Sequence, residues 1–81
     1  MEIQIKIDRT LVISSTIKSI GYAPKEKILE IEFQSNAVYQ YFDVPNEIYQ
    51  GLIDASSKGQ YYNKTIKNYF KFTKVINKIE P

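Results

Sequence analysis

Lysine and aromatic side chains alternate along the last third of the chain. The lysines are Lys58, Lys64, Lys67, Lys71 and Lys74, and the aromatic residues among them are Tyr61, Tyr62, Tyr69, Phe70 and Phe72. Residues 56–81 carry six lysines and one acid, whereas residues 1–55 carry five basic and eight acidic side chains. Lysines neutralise phosphates and aromatic faces stack on unpaired bases. The stretch therefore predicts an anionic partner, RNA or tRNA first; a solvated lysine-rich face is the alternative interpretation.

The same stretch also carries signals that favour a purely structural role. Tyr62, Ile66 and Phe70 recur at helical spacing, which is typical of a helix face packed on a core. Ser57 precedes a predicted helix and has Gln60 three residues on, the spacing of a capping box. The free backbone donors at that helix start would also suit a phosphate.

Tyr39 and Tyr41 alternate on a predicted strand and allow two interpretations. On an exposed sheet face they would form a stacking platform for RNA bases. In the core they would be ordinary cross-strand partners. The choice depends on the register of the hairpin that contains them.

An enzyme is not predicted. Glu30 and Glu32 lie on one face of a predicted strand about 7 Å apart, a spacing that acid–base chemistry could use. No nucleophile–base pair and no glycine-rich phosphate loop accompany them. The sequence has no histidine and no cysteine, so the commonest general base, disulfides and thiolate metal sites are excluded. We expect no catalytic residue, cofactor or metal ion.

The elements that position these residues predict one small α+β domain. Apolar residues alternate at residues 17–22, 28–33 and 38–42, which indicates an antiparallel β-meander. Helices are predicted over residues 45–55 and 58–67, and a closing strand over 70–76, so the sheet has about three to five strands packed against two helices. Gly21 suggests a bulge or a close backbone approach, and Gly51 a close helix contact.

The hairpin between residues 28–33 and 38–42 has an open register. Asn36 is the predicted pivot, since asparagine tolerates a left-handed conformation. A two- or four-residue loop puts Tyr39 and Tyr41 on the outer face with the two glutamates. A loop with one extra residue turns both tyrosines inward, because a slip of one residue exchanges the faces.

Residues 1–13 are predicted to be a strand-like extension and residues 77–81 a frayed tail. Ile3, Ile5 and Ile7 alternate with polar residues, which predicts a half-buried strand near residues 2–7. Its open edge favours an alternative function, a protein–protein interaction or a homo-oligomer. No apolar run is long enough to cross a membrane, and no signal peptide is indicated, so we expect no membrane partner and a cytoplasmic location.

The order of short motifs resembles the KTSC domain, a family found at the C-terminus of some lysyl-tRNA synthetases and as free-standing small proteins. The matching residues are Ser14-Ser15, Ile20-Gly21-Tyr22, 29–33, 38–45, 55–59, Tyr61-Tyr62-Asn63 and Ile66. The central Tyr39-x-Tyr41 is the family's hallmark. Tyr69-Phe70 stands where the resemblance would place an aromatic followed by proline. The resemblance implies a domain over residues 14–76, with a β-rich fold and an undetermined function for which RNA binding has been suggested.

These observations together predict a non-catalytic domain that binds RNA or tRNA through a basic and aromatic surface. The predicted nucleic-acid-binding residues are Lys58, Tyr61, Lys64, Lys67, Lys71, Lys74, Tyr39 and Tyr41.

Overall fold

A computed structural model describes residues 6–75, which form a five-stranded antiparallel meander with helices packed on one face. The strands, each beside the next, are β1 (Thr10–Leu11), β2 (Ile17–Ala23), β3 (Ile28–Phe33), β4 (Val38–Tyr41) and β5 (Phe72–Val75). The helices are α1 (Asn46–Asp54) and α2 (Lys58–Tyr61), and a π-helical segment (Tyr62–Ile66) continues α2. The predicted α+β meander is confirmed. Within residues 6–75, no helix has the length and apolarity needed to cross a bilayer.

The core lies between the inner face of the sheet and the helices. Leu29 and Ile31 alternate along β3 and are fully buried against Leu52 of α1 and Ile66 of the π-helical segment. A register shift between Ile17 and Ser19 in β2 keeps both Ile17 and Ile20 in this core. Period-two alternation thus builds the inner face, as predicted.

The β3–β4 hairpin closes through a loop of three residues, Gln34 to Asn36. The Phe33 amide donates to the Ala37 carbonyl at 2.9 Å, and Asn36 has a φ of 75°, which confirms its predicted role as the pivot. The resulting register pairs Ile31 with Tyr39 and Leu29 with Tyr41. Both tyrosines therefore face the core, which is the second of the two predicted arrangements. The loop itself is shorter than predicted for that arrangement, since it has three residues and pairs Phe33 with Ala37.

Two predicted features of the helices are found. The Ser57 hydroxyl accepts a hydrogen bond from the backbone N–H of Gln60 at 3.4 Å and caps α2. Gly51 lies so close to Tyr61 that a Cβ atom there would overlap the tyrosine hydroxyl. α1 is therefore held against α2 by close contact at a glycine.

The N-terminal segment crosses the outer face of the sheet before it enters β1. Ile7 is buried over Gly21, and a Cβ at Gly21 would overlap the Asp8 carbonyl, which confirms the predicted close approach. Lys6 and Ile7 are not in a strand, and the rest of the predicted strand, with Ile3 and Ile5, lies outside the described residues. The predicted tail at 77–81 also lies outside them.

Candidate functional site

Four aromatic rings, one lysine and one asparagine line an open cavity of about 280 Å³ between the end of the sheet and the π-helical segment. We call this cavity the aromatic pocket. Its lining residues are Tyr39, Tyr41, Tyr62, Lys67, Asn68 and Phe72.

Strand pairing brings the rings of the aromatic pocket together. The β4–β5 register places Tyr41 opposite Phe72 and Tyr39 opposite Lys74. Directly paired residues share a face, so all four side chains are on the inner side of the sheet. The Phe72 ring lies 5.6 Å from Tyr39 at 63° and 5.7 Å from Tyr41 at 39° between ring centroids. The Phe72 ring is therefore inclined to both tyrosine rings and is not stacked face to face on either of them.

A pair of tyrosine hydroxyls forms the inner end of the aromatic pocket. The Oη atoms of Tyr41 and Tyr62 are 2.6 Å apart, and the ring centroids are 5.9 Å apart at 73°. Tyr41 is 2% exposed, whereas Tyr62 is half-buried. Burial, followed by the hydrogen bond with Tyr62, raises the pKa of Tyr41 above the usual value for tyrosine. Both facts favour a neutral Tyr41 phenol that keeps its proton at physiological pH.

The predicted binding residues fall into two groups. Tyr39, Tyr41 and Lys67 line the aromatic pocket, and Lys74 pairs with Tyr39 on the edge strand. Lys71 precedes Phe72 and is exposed; its carbonyl accepts from the Phe42 amide. The expectation of an exposed tyrosine platform is wrong for Tyr41, because the three-residue loop turns it into the core.

The remaining predicted residues lie elsewhere. Lys64 is exposed on the π-helical segment but does not line the aromatic pocket. Tyr61 packs on Gly51 between α1 and α2. Lys58 donates from Nζ to the Ala55 carbonyl at 3.0 Å and lines a separate groove, in which the serines of 14–15 meet those of 56–57. Helix α2 thus turns its first lysine away from the pocket.

Sequence reasoning missed Asn68, and it did not include Tyr62 and Phe72 among the predicted binding residues. Asn68 follows Lys67 in the turn after the π-helical segment, and only its neighbour in the sequence pointed to it. The Lys67 amide donates to the Tyr62 carbonyl at 2.9 Å, five residues back. This wider turn shifts Lys67 and Asn68 relative to an ideal helix of 3.6 residues per turn.

The two glutamates considered for catalysis are held by an arginine on the outer face. Arg9 forms an ion pair with Glu30 through Nη1, and its Nε donates to the Ser19 hydroxyl at 2.9 Å. Gln40 donates to the second Glu30 oxygen at 2.7 Å, and Ser19 donates to Glu32 at 2.8 Å. The Glu30 side chain is only 6% exposed, so it is enclosed by these partners although it lies on the outer face of the sheet. We call these five side chains the outer-face network.

Comparison with known proteins decides the family. The KTSC domain model matches residues 13–70. This chain belongs to the KTSC domain family. An uncharacterized protein of Stutzerimonas stutzeri is 44% identical over 59 residues, which are 73% of this chain and 83% of that protein. A crystal structure of a KTSC domain protein from Yersinia pestis has a TM-score of 0.83 and 40% identity, and the match covers 86% of this chain and 99% of that one.

This chain also matches a short part of much longer proteins. A lysine–tRNA ligase of Nostoc punctiforme is 50% identical over 58 residues, which are 72% of this chain but only 10% of the ligase. The aromatic pocket is built mainly from residues inside the family match, with Phe72 just beyond it. Arg9 of the outer-face network precedes the match.

Proposed function

We propose that this KTSC domain is a non-catalytic module that binds single-stranded RNA through the aromatic pocket and the lysines beside it. The observation that carries the proposal is the aromatic pocket itself, since it places Lys67 beside the rings of Tyr39 and Phe72. Phe72 is 54% exposed and Tyr39 half-buried, so an unpaired base has ring surface to stack on.

Charge near the pocket supports a polyanionic partner. Lys67, Lys71 and Lys74 are exposed, and Lys74 is paired with Tyr39. In a bound RNA, the phosphates next to the stacked base would lie close to these ammonium groups. The similarity to a segment of lysine–tRNA ligases, enzymes named for a tRNA substrate, supports RNA over other polyanions.

A titration of fluorescein-labelled single-stranded RNA, followed by anisotropy at increasing salt, tests the proposal. Each lost phosphate contact should reduce the slope of log affinity against log salt by about 0.7. We therefore expect Lys67→Glu and Lys74→Glu to weaken binding and flatten this slope. Lys25→Glu in the β2–β3 turn is the matched control, because Lys25 is exposed and does not line the pocket.

Ring removal provides the second test. Stacking is worth about 1–3 kcal/mol per base, so Phe72→Ala should weaken binding roughly fivefold or more. Tyr69→Ala is its control, because Tyr69 is 69% exposed and lies outside the pocket. The proposal fails if low-salt RNA binding is absent, or if the pocket and control variants behave alike.

Self-association is a second candidate function, favoured by one observation. Leu11 and Ile13, in and just after the edge strand β1, are 75% and 99% exposed. Exposed apolar residues beside a sheet edge invite pairing with another chain. Light scattering of the wild type and of Leu11→Ser/Ile13→Ser tests this; a monomer in both removes the alternative. Substitution is better than deletion here, since removal of the first ten residues would also remove Arg9.

A further inference from the structure

The backbone of the edge strand β5 has hydrogen-bonding groups that point away from the sheet. Within residues 6–75 the sheet ends at β5, which pairs with β4 on one side. Antiparallel pairing alternates between residues that exchange hydrogen bonds and residues that do not. The Phe42 amide donates to the Lys71 carbonyl at 2.9 Å, so the backbone of Lys71, and of every second residue after it, faces β4. The N–H and C=O groups of Phe72 and Lys74 therefore face the open edge.

This edge is accessible to another chain. Residues 71–74 are all exposed, and β5 has four residues, whereas β1 at the opposite edge has two. Exposed N–H and C=O groups along a sheet edge are a template for an added strand. When an extended peptide binds in this way, main-chain hydrogen bonds provide affinity and alternate side chains provide specificity.

The side chains along the edge favour an acidic strand. Phe72 and Lys74 project from the same face of β5, because alternate residues of a strand share a face. Residues 67–74 contain Lys67, Lys71 and Lys74 and no acidic residue. Directly opposite residues on paired strands have Cβ atoms about 5 Å apart, so opposite charges there are stabilising and like charges destabilising. The edge therefore favours a carboxylate opposite Lys74 and an apolar side chain opposite Phe72.

A second copy of β5 does not meet this requirement. Pairing of two β5 strands would bring the lysines of residues 67–74 from both chains together, and like charges oppose such pairing. An acidic strand from another protein is attracted by the same lysines, because its charge is complementary to theirs. The lysines that protect the edge from self-pairing thus admit one class of partner.

We propose that the open edge of β5 binds an acidic, extended segment of a partner protein as a sixth strand. A carboxylate of the segment pairs with Lys74, and an apolar residue two positions away packs on Phe72. This interaction does not depend on the proposed RNA binding. Because both ligands contact Phe72 and Lys74, RNA and the peptide should exclude each other.

Two fluorescein-labelled heptapeptides test the proposal by anisotropy at low salt. One consists of threonines with glutamate third and phenylalanine fifth, and the other has the reverse order, so that both strand directions are covered. At least one should bind, and replacing its glutamate by glutamine should weaken binding by up to about fivefold.

Two substitutions of Lys74 separate its charge from its backbone. Lys74→Ala removes the charge and keeps the outward N–H, whereas Lys74→Pro removes both. Proline is tolerated in an edge strand where its nitrogen faces solvent, so the ladder with β4 should persist. Lys74→Pro should bind the peptide at least about fivefold more weakly than Lys74→Ala, because a hydrogen bond of the added strand is lost.

Amide hydrogen exchange measured by NMR locates the peptide. In the free protein the amides of Thr73 and Val75 should exchange slowly, because they face β4, whereas those of Phe72 and Lys74 should exchange fast. Peptide binding should slow the exchange of the Phe72 and Lys74 amides.

Several results would overturn the proposal. These are the failure of both peptides to bind, unchanged exchange of the Phe72 and Lys74 amides in the complex, and equal affinity for Lys74→Ala and a folded Lys74→Pro. If circular dichroism shows that Lys74→Pro is unfolded, a peptide N-methylated at its glutamate and phenylalanine replaces it; undiminished binding of that peptide would contradict strand addition.

The exchange measurement also distinguishes other occupants of the edge. Protection of the Phe72 and Lys74 amides that grows with protein concentration would assign the edge to a second copy of this chain. Protection by single-stranded RNA but by neither peptide would assign it to nucleic acid. Either result would refute an acidic peptide as the partner.

Discussion

Replacing Arg9 by methionine should destabilise this domain more than its surface position suggests. The substitution keeps an unbranched side chain but removes the cation from the outer-face network. Of its two side-chain partners within residues 6–75, Glu30, whose side chain is 6% exposed, would then keep the side-chain amide of Gln40. A buried carboxylate without its partner cation is costly because it has lost both water and its counter-charge.

The magnitude follows from the exposure of the two partners. Removal of one member of a buried ion pair costs about 3–5 kcal/mol, but the Arg9 side chain is 30% exposed, so water screens part of the loss and we expect about 2 kcal/mol. The lost bond from Arg9 Nε to Ser19 adds about 1 kcal/mol. In a domain whose total stability is roughly 5 kcal/mol, this should lower Tm by roughly 10–25 °C.

Thermal and urea unfolding followed by far-UV circular dichroism measure this loss. Lys6→Met is the matched control, because Lys6 is an exposed cation that lines one cavity with Arg9 and Glu30 but is not one of the five side chains of the outer-face network. It should change stability by no more than about 0.5 kcal/mol. Arg9→Met/Glu30→Gln should be more stable than Arg9→Met, since no unpaired buried charge remains. Equal effects of Arg9→Met and Lys6→Met would refute the reasoning, as would strict additivity in the double variant.

Three further predictions concern stability. The pKa of Tyr41 is raised in the folded state, so the unfolded chain releases this proton first as pH rises above about 10. The free energy of unfolding should therefore fall above pH 10, with a slope of up to about 1.4 kcal/mol per pH unit. Urea titrations at several pH values should show a shallower fall for Tyr41→Phe. Gly21→Ala should cost about 1–3 kcal/mol in the same titrations, because its Cβ would meet the backbone of Asp8, which cannot rotate away; a neutral result would mean that residues 6–9 are not held on the sheet. Ser57→Ala should cost about 1 kcal/mol through loss of the helix cap, and Ser57→Gly less; the reverse order would contradict the capping role.

The strands were predictable because their period-two signal is local. The predicted bounds 28–33 coincide with those of β3, and the predicted meander order matches the sheet. The facing of Tyr39 and Tyr41 was not predictable, because it depends on whether the loop has an odd or an even number of residues. Turn propensity identified Asn36 as the pivot without fixing that number.

Arg9 shows a different limit of the sequence. Its partner Glu30 is 21 residues away, and no periodicity connects a charge before β1 with a central strand. From composition alone, Arg9 is one of five basic residues in the acidic part of the chain, and nothing marks it as the partner of Glu30. The burial of Glu30 was equally hidden, since alternation predicts which face a residue occupies but not what covers that face.

The lysines illustrate the same problem within one helical stretch. Charge spacing alone does not show that Lys67 lies at a different site from Lys58 and Lys64, because the sequence predicts a regular helix through residue 67. The hydrogen bond from Lys67 to Tyr62 spans five residues and changes the phase at that point. Lys67 and Asn68, which follow this wider turn, line the aromatic pocket, whereas Lys58 and Lys64 do not.

Some aromatic rings line the aromatic pocket and also belong to the core. Only variants that leave the core intact are therefore informative about binding. Tyr41 is part of the buried core, so Tyr41→Ala would unfold the chain regardless of any ligand that the domain binds. Phe72 is 54% exposed on the edge strand, and its burial contributes correspondingly less to stability. An exposed aromatic on an edge invites unwanted pairing, and the charge of Lys74 two residues on opposes it. Phe72→Ala is therefore a more informative variant than Tyr41→Ala for testing the proposed base binding.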